Sequence, residues 1–105
     1  MTVQWQGYIE HHEINAPGRK AAGRAARLSA PGETLTSVDE VVAWLKAKSV
    51  EAAKTADQQA AEKNNLVTHP ENIYRSLARK GQSLYASVHV TGREVVDVCV
   101  EAVTA

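Results

Sequence analysis

The first segment of the chain alternates apolar and polar side chains over residues 2 to 14. Val3, Trp5 and Ile9 fall on one face, and polar side chains fall on the other. A period of two is typical of a strand with one buried face. Gly7 falls on the apolar face, where a glycine indicates a bulge or the close approach of another element. The pattern therefore predicts a first strand with a special contact at Gly7.

Residues 15 to 36 lose this alternation and are rich in glycine, proline and basic side chains. Alanines favour a short helix from about Arg19 to Leu28, but the hydrophobic stripe that would dock such a helix is nearly missing. We therefore expect a long, flexible basic arm that projects from the domain.

A helical pattern begins at Ser37 and continues to about residue 64. Ser37 and Glu40 have the spacing of a capping box, which satisfies backbone N–H groups in the first turn. The apolar stripe then narrows to small side chains, at Ala52, Ala56 and Ala60. These alanines allow another backbone to come close, either in the same chain or in another subunit. The alternative is an alanine-rich helix end that only solvent covers.

The last third of the chain predicts a short helix followed by a hairpin. Thr68 and Pro70 are suited to begin the helix and Gly81 to end it. Two alternating segments, Ser83 to Val90 and Glu94 to Val103, then flank a turn at residues 91 and 92.

The second face of the last strand is half apolar and half acidic. Its side chains are Val95, Asp97, Cys99 and Glu101, followed by Val103. Half-apolar edge strands are usual places for another chain to cover or extend a sheet. We expect this strand to be an edge and the first four of these residues to bind a partner.

Together these patterns predict one α+β domain over residues 1–105. Its three-stranded antiparallel sheet is packed by one long helix, with a short second helix and the basic arm over residues 15–36. Valine and alanine dominate the apolar positions, and both bury less surface than leucine or phenylalanine. The thin core suggests that stability depends on partner subunits.

Charge and composition narrow the classes of function. Twelve basic and 12 acidic side chains give a net charge of zero, which argues against a general nucleic-acid coat. No apolar run approaches the roughly 20 residues of a membrane span, and the first residues lack the features of a secretory signal. A single cysteine fits a reducing compartment. We therefore expect a cytoplasmic protein that does not bind membranes.

Candidate chemistry is sparse. His11 and Glu13 share a strand face while His12 lies on the other, so a metal site there would need His69 or His89. Cys99 lies among apolar strand residues, where its pKa is raised, opposite to what a nucleophile needs. The sequence contains no catalytic or phosphate-binding motif. We expect no enzyme activity, no metal and no cofactor.

The basic arm is the strongest charged feature. Its candidate partner-binding residues are Arg19, Lys20, Arg24 and Arg27. In a helix, three of them form a stripe that suits a phosphate backbone or an acidic protein. The alternative is a solvated loop with ordinary surface charges. Because the last strand has the opposite sign, arm and strand also suit a head-to-tail contact between identical subunits.

The order of elements from Val38 onward carries a resemblance. A long helix, a proline, the short segment IYRSL (Ile73 to Leu77) and a valine-rich hairpin follow one another. This order resembles the small tail-completion and connector proteins of long-tailed bacteriophages, which assemble as rings at the neck or tail. The resemblance implies a structural, non-catalytic role and transfers no site residue.

The function we expect is that of a structural subunit in a larger protein complex, such as a phage-like virion neck or tail. Its partners would be protein subunits, as a homo-oligomer or a multi-protein assembly. One alternative is a small nucleic-acid-associated or regulatory module that binds through the arm. Another is an interaction protein of the inhibitor or antitoxin type.

Overall fold

The structure is a computed structural model and describes residues 3–65 and 71–104. Its strands are β1 (Val3–Glu13), β2 (Glu33–Leu35), β3 (Leu84–His89) and β4 (Glu94–Thr104). Its α-helices are α1 (Arg24–Leu28), α2 (Val38–Ala53), α3 (Gln58–Asn65) and α4 (Glu71–Arg79), and a 3₁₀ turn at Lys20–Gly23 precedes α1.

The strands form one antiparallel sheet in the order β2-β1-β4-β3. The α+β class is confirmed, but the prediction of three strands is wrong, because Glu33–Leu35 pairs with β1 inside the segment expected to be an arm. Three residues are too few to show a period of two. The last strand is also not an edge, since β4 lies between β1 and β3.

The core lies between one face of the sheet and α2. From the helix, Val41 and Leu45 have no exposed surface, and from the sheet, Val98 and Val100 have none. Gly7 marks a close approach, because a Cβ atom there would lie 2.7 Å from the ring of Trp44. The absent side chain therefore lets α2 lie close to β1.

The long helix expected over residues 38 to 64 is two helices. The Ser37 cap is as predicted, with Ser37 Oγ accepting from the Glu40 N–H at 3.1 Å. The break comes where Asp57 caps α3 through the Ala60 N–H, at 2.8 Å, and donates its own N–H to the carbonyl of Val90 at 2.9 Å. Asp57 therefore starts a new helix and ties it to the end of β3.

The second half of the chain follows the predicted order. α4 ends just before Gly81, whose φ of +70° suits glycine, and the Gln82 N–H returns to the carbonyl of Leu77 at 3.1 Å. The predicted start at Thr68 and Pro70 lies outside the described residues. The β3–β4 hairpin is confirmed.

The basic arm does not project. Its 3₁₀ turn and α1 lie against the second face of the sheet, the one opposite the core, where its guanidinium groups bond to carboxylates of β4 and β1. The prediction of a projecting arm is therefore wrong. The acidic face that was expected to attract another subunit attracts the arm of its own chain.

Candidate functional site

The second face of the sheet gathers polar side chains from three strands. Asp97 on β4 lies opposite both Glu10 on β1 and Ser87 on β3. Glu101 lies on the same face of β4, four residues further along. Asp97 and Glu101 have no exposed surface. Buried carboxylates are rare unless they are paired, and the arm supplies their partners.

Arg19 holds Asp97 with two parallel hydrogen bonds. Its Nε and Nη2 donate to the two carboxylate oxygens at 2.8 and 3.0 Å. Ser87 Oγ also donates to Asp97, at 2.6 Å, and accepts from Arg19 Nη2 at 3.2 Å. A forked guanidinium–carboxylate pair fixes both orientation and distance, so the start of the arm has a defined position on the sheet.

Glu101 is held by two arginines and a tyrosine. Arg24 Nη1 and Arg27 Nε donate to its two oxygens, each at 2.8 Å, and Tyr85 Oη donates at 2.6 Å. Arg27 also donates to Glu10 at 2.7 Å, and its guanidinium carbon lies 5.7 Å from the centre of the Tyr85 ring. Arg27 is only 3% exposed, so α1 is attached to the sheet through a buried cation.

These contacts set the charge state of the two carboxylates. Burial raises the pKa of Asp97, but hydrogen bonds from Arg19 and Ser87 outweigh it and leave that pKa below its ordinary value. Burial of Glu101 is likewise outweighed, by hydrogen bonds from Tyr85 and its arginines, and its pKa is also lowered. Both groups are therefore negatively charged in the folded protein at neutral pH.

Most of the arm's basic side chains therefore form ion pairs with carboxylates of the same chain. Three of its four candidate cations bond to carboxylates, and Lys20 is the one without an ion pair in the part of the chain that the structure describes. The cluster contains three guanidinium groups and three carboxylates, so its formal charges cancel. The cluster fastens the arm and presents no excess of positive charge.

The other residues expected to bind a partner also lie inside the fold. Val95 is 1% exposed, and burial raises the pKa of Cys99, which has no exposed surface, to about 12. Ala52 belongs to the core and Ala60 is fully buried, while Ala56 is half-buried. Neither the predicted last-strand surface nor most of the alanine face is open in this fold.

An open surface lies instead along β1. β2 covers this strand only from Trp5 to Gly7, although β1 continues to Glu13. Gly32, just before β2, passes close to β1, because a Cβ atom there would lie 2.8 Å from the carbonyl oxygen of Gly7.

The open half of β1 has free backbone hydrogen-bonding groups. The Ile14 N–H donates to the carbonyl oxygen of Arg93, just before β4. Because backbone groups alternate in direction along a strand, the N–H and C=O groups of Ile9 and His11 point away from β4. In the described parts of the chain, these groups have no backbone partner. Ile9 is 45% exposed although it lies on the apolar face.

Two depressions lie along this open edge of β1, and together we call them the β1 groove. The larger is about 490 Å³ and lies between Trp44 and Lys48 of α2 and the turn at Ala30–Gly32. The smaller is about 140 Å³ and is bordered by His11, Ala52 and Thr55. Ile9 and Lys48 line both. The groove is thus an open strand edge between a helix and a loop.

The charges beside the groove are not balanced. Lys48 lies 3.6 Å from Glu51, and Glu10 is already bonded to Arg27. Glu33, at the β2 end of the open edge, accepts a hydrogen bond from Trp44 Nε1 at 2.5 Å. Among the described residues, no cation lies within ion-pair distance of Glu33 or of Glu13 at the other end. Each end of the open edge therefore has an uncompensated carboxylate.

Among the described residues, the structure has no group of three ligand-type side chains that could hold a metal ion. Over the same residues, no helix has the length and apolar character needed to cross a bilayer. No protein family, curated protein or solved structure matches the chain. The site must therefore be interpreted from its own geometry.

Sequence reasoning missed the β1 groove. The relevant signal was the length of the first alternating segment, which exceeds what a three-residue partner covers, together with the exposed apolar Ile9. Neither signal is decisive without the position of β2. Sequence reasoning did identify the arginines and the acidic strand, but it predicted that each would bind a different molecule and not that they would bind each other within one chain.

Proposed function

We propose that this chain is a non-catalytic interaction module that works as a subunit of a larger protein assembly. The observation that carries the proposal is the open half of β1, where Ile9 and His11 present unpaired backbone groups next to a groove. Exposed strand edges attract other chains, and native proteins usually cover or charge them. An edge between a helix and a loop suits a protein partner.

The larger setting we propose is an assembly such as the neck or tail of a phage-like virion. Helices followed by the short helix α4 and the β3–β4 hairpin support this setting, because the resemblance has the same order with α2 and α3 as one long helix. Binding of nucleic acid through the arm is not favoured, since Arg19, Arg24 and Arg27 are bonded to carboxylates of the same chain.

A photo-crosslinking experiment tests the proposal. Benzoyl-phenylalanine is installed in place of Ile9, and the chain is produced in its native cell and illuminated. A matched control carries the same group in place of Glu62, which is exposed on α3 and lines no part of the β1 groove.

We expect a covalent adduct larger than one chain from position 9 and none from position 62. Native mass measurement of the unmodified chain, purified from the same cells, should show a complex heavier than the monomer. A strictly monomeric chain without an adduct at position 9 would contradict the proposal.

A further inference from the structure

We infer that the β1 groove binds an extended segment of another protein as an additional antiparallel strand, with apolar residues opposite Ile9 and His11 and a lysine or arginine at each end. The inference rests on the proposed function and names its partner. It starts from the backbone, because the free groups of Ile9 and His11 are one donor and one acceptor each and are spaced two residues apart. Another extended backbone meets such a pattern with paired hydrogen bonds.

The side-chain pattern of the partner follows from the faces of β1. A residue directly opposite Ile9 lies on the same face as Ile9, next to Ala52 and Val96 of the smaller depression. An apolar side chain fits there. Its neighbours along the segment point to the other face, near Glu10 and the Ala30–Gly32 turn. The segment should therefore alternate between apolar and polar residues.

Charge decides which residues suit the two ends of the segment. Glu33, opposite Gly7, and Glu13 lie on the same face as Ile9, at the two ends of the open edge, and have no cationic partners in the described chain. Lysine or arginine side chains on that face therefore suit the two ends of the segment. Charge also argues against a second copy of this chain. Two β1 edges brought together would bring the same uncompensated carboxylates into one interface.

A capped heptapeptide, Lys-Ser-Val-Ser-Val-Ser-Lys, is the probe, since its valines and both lysines point to one face of the strand. Binding is measured by the change in fluorescence of Trp44, which lines the larger depression, and by amide hydrogen exchange at Ile9 and His11. We expect saturable binding that slows exchange at these two amides. The same peptide with glutamate in place of both lysines should bind about tenfold more weakly or worse.

Backbone methylation separates strand addition from nonspecific attraction. In an antiparallel pair, the residue opposite Ile9 directs its N–H toward β1, and the next residue directs its N–H away. Methylating the valine amides should therefore weaken binding by about tenfold or more, whereas methylating the serine amides should change it less than about threefold. Equal effects of the two modifications would overturn the inference.

Charge reversal in the protein completes the test. The Glu33→Lys and Glu13→Lys variants should each bind the peptide with terminal lysines several-fold more weakly, while Glu62→Lys on α3 should bind it like the unmodified chain. If all three behave alike, the groove does not select the basic segment and the inference fails. A homodimer that Ile9→Lys dissociates would assign the edge to a second copy and would also overturn it.

The outcomes keep the two proposals apart. An adduct from position 9 together with failure of the peptide experiments leaves the interaction module intact and removes strand addition by a basic segment. Absence of any adduct or complex removes the proposed function, whatever the peptide does.

Discussion

Arg27 and Glu101 are separated by 74 positions in the chain, and Arg27 Nε donates to Glu101 Oε2 across 2.8 Å. Both side chains are buried. The bond joins α1 to the middle of the sheet and fixes the basic arm on the face that the sequence suggested was open to partners. It therefore determines which surfaces remain available, and it leads to the first three predictions.

Replacing Arg27 should strongly destabilise the fold. Arg27→Met leaves Glu101 and Glu10 without one of their cations, and breaking a buried ion pair from one side costs about 3–5 kcal/mol. Urea unfolding measures the loss. Lys20→Met is the matched control, because Lys20 has no ion pair among the described residues and its loss should change stability by less than about 0.5 kcal/mol. Equal stability of the two variants would refute the structural role of the cluster.

Acid should weaken the same cluster. The pKa values of Asp97 and Glu101 lie below their ordinary values of 3.8 and 4.5, so the unfolded chain binds more protons than the folded one in acid. Their contribution to stability is present above about pH 4.5 and is lost as pH falls through the folded pKa values. Urea unfolding at a series of pH values should show this decline. Asp97→Asn should make it shallower, and an identical slope in that variant would contradict the prediction.

The thiol of Cys99 should report whether the arm is in place. It lies on the face that the arm covers and has a pKa raised to about 12, so little reactive thiolate is available. We expect Ellman's reagent to modify the folded protein at least about a hundredfold more slowly than the protein in urea. The reaction should be faster in Arg27→Met than in Lys20→Met. Rapid reaction of Ellman's reagent with the folded chain without substitutions would contradict the buried position of Cys99.

Adding a methyl group at Gly7 should strain the contact between β1 and α2. The Cβ atom would meet the Trp44 ring at 2.7 Å, and overpacking of this kind costs about 1–3 kcal/mol. Thermal unfolding of Gly7→Ala should therefore occur at a lower temperature than that of Gly92→Ala, where the nearest atom is 3.9 Å away. Trp44→Leu, which removes the ring, should reduce the cost of Gly7→Ala in the double variant. If Gly7→Ala unfolds at the same temperature as Gly92→Ala, α2 can move away from β1 freely and the prediction is wrong.

Local patterns accounted for much of the fold. The Ser37 cap, the end of α4 at Gly81 and the β3–β4 hairpin were all predicted, because each depends on residues only a few positions apart. The break at Asp57 was missed, since its cause includes a bond to Val90 on another element. The candidate site was predicted least well. The arginines and carboxylates were identified, but not that they bind each other.

The sequence by itself determined which residues of β1, β3 and β4 alternate, where α2 begins and α4 ends, and which face of these three strands is apolar. Only the tertiary structure decided that β4 lies inside the sheet, that Glu33–Leu35 pairs with β1, and that the arm covers β4. Backbone geometry and capping depend on near neighbours, whereas strand order and ion pairing depend on groups that are distant in the chain and compete for the same surface. Among the described residues, no strand covers the outer half of β1, where the backbone groups of Ile9 and His11 point away from β4.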